Sequence, residues 1–132
     1  MTDEIFLAGR ILLGGMFFMF GMNHVTQFSD MASFAQAKEV PFPKTSVALG
    51  GVALIAGGLS LVLGLYPVAG AWVLIGFLIP TTLLIHNFWA MHDLASRTIE
   101  TVNFYKNLGL LGGVIATLQV PRPWPYSLME IF

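Results

Sequence analysis

Four long apolar runs fill most of this chain, and no other feature limits its folding options as strongly. They extend from Ile5 to Met22, Val47 to Leu65, Val68 to Ile85 and Asn103 to Val120. Each is about 18 or 19 residues long, enough for a helix to cross a hydrocarbon core roughly 30 Å thick. Lipid cannot hydrogen-bond an open backbone, so such spans should be helices rather than strands. The second and third runs carry no charge, the fourth carries only Lys106, and Arg10 interrupts the first. Charged residues make up 10% of the 132 positions, where a soluble domain would need about a quarter. Buried helices of a water-soluble globule are the alternative, but four runs with almost no polar face argue against it. The expected fold is an all-α integral membrane protein, a single-domain antiparallel four-helix bundle with helices at about 5–22, 47–65, 68–85 and 103–120.

The first run differs from a cleaved signal peptide. Asp3 and Glu4 precede it, Arg10 lies inside it, and no A-x-A-like site follows, so it reads as a retained helix. Only Tyr66-Pro67 separates the second and third runs, which predicts a tight hairpin. Pro67 suits a first helical turn, and Pro80 predicts a kink. Between the first two runs, Ser29 is positioned to cap a short surface helix at about 30–39 that presents Met31, Phe34 and Ala35 on one side. Pro41 and Pro43 end it. The tail, 121–132, is broken by prolines, and Trp124 and Tyr126 suit an interfacial anchor. Lys38, Lys44 and Arg97 in the connections outnumber Arg10 and Arg122 at the other face, which leans towards cytoplasmic connections.

Small residues mark the packing faces. Gly50, Ala53, Gly57, Ser60 and Gly64 recur at spacings of three and four, a seam for close helix approach. Gly109 and Gly113 form G-x-x-x-G in the fourth run. Arg10, Gly14, Phe17, Gly21 and His24 share one side of the first helix, and Lys106 shares a side with Gly109 and Gly113. Both cations are thereby expected to face neighbouring helices, with Arg10 as a buried charge. Snorkelling of either to the head groups is the plainer alternative.

Antiparallel packing brings the end of the first helix, the end of the third and the start of the fourth to one membrane face. His24, His86, Asn87, Trp89, Lys106 and Asn107 gather there as candidate ligand-binding residues. Arg10, 14 residues before His24, lies about 21 Å away along a helix, near the opposite face. His92, Asp93 and Glu100 read as solvated loop residues. The blander reading of His24 and His86 is as anchors at helix ends.

Several chemistries can be set aside. With no cysteine there is no disulfide, thiolate metal site or CxxCH, and no carboxylate-rich ligand set accompanies the histidines, so neither metal nor haem is expected. A net charge of -1 gives no support for nucleic-acid binding. Proton-coupled drug antiporters usually need an acidic group within the membrane, and none of the four runs contains Asp or Glu. No nucleophile has a base at a sensible spacing. A quinone-like ligand would need only an apolar cleft, an aromatic such as Trp89 and donors such as His86 or Lys106.

At these residues the chain resembles the DoxX family of small four-helix membrane proteins. The matching pieces are Arg10 with the glycine-rich run ending GMNHV (Gly21 to Val25), the proline-bearing first connection, GGLSLVLGLYP (Gly57 to Pro67), HNFW (His86 to Trp89) and NFYKNLGLLGG (Asn103 to Gly113). Together they reach from Ile5 to Val120. The resemblance implies a left-handed four-helix bundle in the bacterial (inner) or archaeal cytoplasmic membrane. It also implies a redox-accessory role, since the family is named after a subunit associated with quinol oxidase and thiosulfate:quinone oxidoreductase activity in an archaeon. Other members are linked to redox-stress complexes, and many have no assigned activity. Members that work through thiols are no template for a chain without cysteine. The expected partners are membrane lipid and, as candidates, an oxidoreductase subunit and further copies of the chain. A non-catalytic scaffold is the alternative, and a small-molecule transporter a more distant one.

Overall fold

A computed structural model of the chain describes residues 1–128, and every regular element among them is helical. In chain order these are α1 (Thr2–Thr26), α2 (Phe28–Ala37), α3 (Pro43–Leu63), α4 (Pro67–Leu84) and α5 (Leu94–Thr117), with a 3-10 turn at Phe88–Ala90. Three segments are long and apolar enough to cross a membrane: α1, α3 and Pro67–Ala90, which begins with α4. At 24 residues α5 has the length, but it carries Arg97, Glu100, Asn103, Lys106 and Asn107.

Local chemistry sets the boundaries. Pro43 and Pro67 open α3 and α4, where a missing N–H costs nothing. Gly64 ends α3 in the left-handed conformation, with φ of 65°. The helix bearing the fourth apolar run starts nine residues ahead of it, because Asp93 caps α5 by accepting the Ser96 N–H at 3.1 Å. Its end comes early too, at Thr117, ahead of Pro121. Ser29 is not the cap of α2. The helix begins at Phe28 behind Gln27, and Ser29 lies inside it, its carbonyl accepting from Ser33 Oγ at 3.0 Å. Pro80 sits within α4 without ending it.

Packing proceeds from α1 to α3, α3 to α4 and α4 to α5, while α2 lies across α3. The buried side of α1 is Arg10, Gly14, Phe17 and Gly21. It meets α3 backbone to backbone: a Cβ on Gly14 would lie 2.6 Å from the Gly58 carbonyl, and one on Gly21 would lie 3.0 Å from the Gly51 carbonyl. Thus α3 offers two glycine faces rather than one seam. Gly51 and Gly58 take α1, whereas Gly50 and Gly57 take Phe77 and Leu74 of α4. Gly64 belongs to neither, being the cap. Among the described residues the expected G-x-x-x-G contact of α5 is absent: none comes within 4 Å of a Cβ built on Gly109, and Gly113 meets Leu13 of α1 at van der Waals distance. Helical spacing aligns small residues but does not supply the partner helix. Phe17, Leu54, Leu61, Leu74, Leu78 and Val114 form the buried centre.

Candidate functional site

A cavity of about 1030 Å³ opens where α1 ends, α3 begins and α4 passes into α5. Its walls are mostly apolar, from Phe20, Leu49, Ala53, Val73, Phe77 and Leu84. Met31, Phe34 and Ala35 of α2 close over it. Gly76 and Pro80 lie on its α4 wall. Because proline has no N–H, the Gly76 carbonyl lacks its usual helical donor at this wall.

His24, His86, Lys106 and Asn107 all line this cavity, delivered by three separate parts of the chain. His24 Nδ1 lies 2.8 Å from the Phe20 carbonyl one turn back, and a carbonyl can only accept, so Nδ1 carries the proton. In the neutral ring that leaves Nε2 as an acceptor, beside Gly50. The ring stands edge-on to Phe77 at 5.8 Å. His86 Nδ1 lies 2.7 Å from Glu100 Oε2, so the carboxylate fixes that ring in the same sense. Lys106 is exposed: its ammonium reaches Asn103 Oδ1 at 3.2 Å and sits 5.2 Å from the centre of the Phe20 ring. Asn107 is buried.

Asn87 and Trp89 stand outside the lining. Asn87 Oδ1 accepts from Lys38 Nζ at 2.8 Å, which ties the end of α2 to the α4–α5 connection. Trp89 is exposed in an aromatic cluster with Phe88 and Phe104, and Tyr105 extends that cluster.

Glu100 is the main residue that sequence reasoning misplaced. It is not a solvated loop residue: it is 8% exposed, inside α5, and holds His86. The observation that no apolar run contains an acid is true of the runs but not of the helix. The signal available was Asp93, a capping residue that would have carried the helix back over Glu100. Asp30 of α2 also lines the cavity and was likewise missed.

At the opposite face, Arg10 is 3% exposed, between Phe6 and Trp124. Trp124 is not an interfacial anchor. It is equally buried, edge-on to Phe6 at 5.1 Å, because the tail folds back over Arg10. Tyr126 remains exposed, and the part of the tail at 129–132 lies outside the described residues. Among the described residues no three His, Asp or Glu side chains converge in a way that could hold a metal ion.

The DoxX family model matches residues 5–87, which takes in α1 to α4 and the cavity residues His24 and His86. No curated protein and no solved structure matches the chain.

Proposed function

The chain belongs to the DoxX family, and from that premise we propose that it is a redox-accessory membrane subunit whose cavity binds a quinone or a similar amphipathic molecule. In this reading α5 is the fourth span of an antiparallel bundle in a bacterial or archaeal cytoplasmic membrane, and an oxidoreductase subunit is its partner. The observation that carries the proposal is the cavity itself. Its volume of about 1030 Å³ suits a drug-sized or larger ligand, and its wall is apolar with few polar groups. Those groups offer both senses of hydrogen bond. Lys106 and Asn107 supply donors for a quinone carbonyl, and the Nε2 atoms of His24 and His86 supply acceptors for a quinol hydroxyl. Glu100 holds His86 in that tautomer.

Titration of the purified protein with a ubiquinone or menaquinone analogue tests this. The reading predicts saturable binding that is weakened at least tenfold, about 1.4 kcal/mol, when His86→Ala and Lys106→Ala are combined. Absence of saturation, or affinity unchanged in the double variant, would sink it. A scaffold role is favoured by the same polar contacts read structurally, since Lys38–Asn87 and His86–Glu100 both tie elements together. It predicts that the double variant loses stability or partner recovery and that no quinone binds.

A further inference from the structure

The Arg10 guanidinium at the opposite face is a buried cation with donors to spare. Nη2 donates to the Tyr126 carbonyl at 2.7 Å, but Nε and Nη1 have no acceptor among the described residues. Neither has the Trp124 indole N–H, although that side chain is just as deeply buried. The two groups are neighbours, with the guanidinium carbon 5.8 Å from the centre of the Trp124 ring. Among the described residues Glu4 contacts the Met1 amino group and Glu100 contacts the His86 ring, and neither carboxylate pairs with Arg10.

Buried charges are ordinarily paired, and buried donors are ordinarily satisfied, because the alternative forfeits their hydration without return. A buried cation with two unsatisfied N–H positions, beside a buried indole N–H that also lacks an acceptor, calls for an anionic acceptor, and an oxyanion supplies several acceptor oxygens. The depth of the site suggests which one. Nη1 lies beside Gly64, where a Cβ would come within 2.9 Å of it, so the guanidinium stands at the level of the α3–α4 turn. There α3 ends and α4 begins, and in the membrane-spanning reading given above a turn between two spans lies at the depth of lipid head groups. The tail closes the site from outside, with the Leu128 N–H donating to the Leu63 carbonyl at 2.9 Å.

We propose that Arg10 and Trp124 form an oxyanion-binding site at the face opposite the cavity, and that it takes a phosphate group, carried by a phospholipid or free in solution. The site is independent of what the cavity binds.

The test follows the Trp124 indole N–H by NMR, in a Trp72→Phe, Trp89→Phe background that leaves Trp124 as the single indole. The protein is held in a phosphate-free maltoside detergent and titrated separately with inorganic phosphate and with a short-chain phosphatidylglycerol. A saturable shift of the resonance is expected with at least one of them. Response to the lipid alone assigns a head group, and response to inorganic phosphate assigns a free ion. Arg10→Gln should abolish the shift. Arg10→Lys, which keeps the charge but loses the planar guanidinium, should weaken it several-fold. No saturable shift with either probe overturns the proposal, as does a shift unchanged in both Arg10 variants. It is also overturned if Glu130→Gln alone moves the resonance and the probes do not, because the acceptor would then be the chain's own carboxylate.

Discussion

At the scale of single residues, glycine matters here according to what lies above it. Gly14 and Gly58 each present bare backbone to the other's carbonyl, whereas Gly109 faces open space, and all three sit inside helices. Gly14→Val should therefore force α1 off α3 and cost about 1–3 kcal/mol of stability in detergent unfolding. Gly109→Ala should be neutral or stabilising by up to about 1 kcal/mol, through helix propensity alone. Equal effects at the two sites would contradict the packing described. The stripe of Arg10, Gly14, Phe17 and Gly21 was legible in the sequence because spacings of three and four select one side of a helix, and that side is the buried one. The identical spacing of Gly109 and Gly113 was misleading. Periodicity reports which residues share a side, and the presence of a neighbour on that side is decided by tertiary packing.

At the scale of elements, α5 separates what hydropathy can show from what it cannot. An apolar run locates a stretch that tolerates lipid; a helix starts where a cap satisfies its first N–H groups. Asp93 provides that cap, so α5 extends nine residues ahead of the run and carries Glu100 into contact with His86. Donation from the Ser96 side chain and then its backbone N–H holds the Asp93 carboxyl below its ordinary range. A lowered folded value means that the charged cap stabilises the helix above the usual carboxylate range. That contribution fades as pH falls through the lowered value. Asp93→Ala should lower the unfolding midpoint near neutral pH, and the gap from the native protein should close in strong acid. Asp93→Asn, which caps without titrating, should leave little gap at neutral pH. A gap independent of pH would contradict the charged cap. The same distinction explains α2. Its apolar residues were readable, but their place as a roof over the cavity follows from the angle at which the chain leaves α1, which no local pattern encodes.

At the scale of the whole molecule, the two faces do different things. One carries an apolar cavity ringed by His24, His86, Lys106 and Asn107, and the other buries Arg10 beneath the tail. The convergence of the first set was readable because antiparallel helices must return their ends to common levels. Trp124 was not, since a proline-broken tail gives no periodicity to say whether it lies at the interface or folds inward. Asn87 and Trp89 share the sequence neighbourhood of His86 yet serve the α2 tether and an aromatic cluster, because the connection turns sharply after α4. The proposed function places the amphipathic ligand in the cavity, rather than on the exposed aromatic cluster or the lipid-facing surface. Photolabelling with an azido-quinone, followed by mass-spectrometric mapping, measures this directly. Modification concentrated on Met31, Phe34 and Phe77, and suppressed by excess unmodified quinone, is the expected result. Modification confined to Trp89 and Tyr105, or spread along the outer faces without competition, would contradict it.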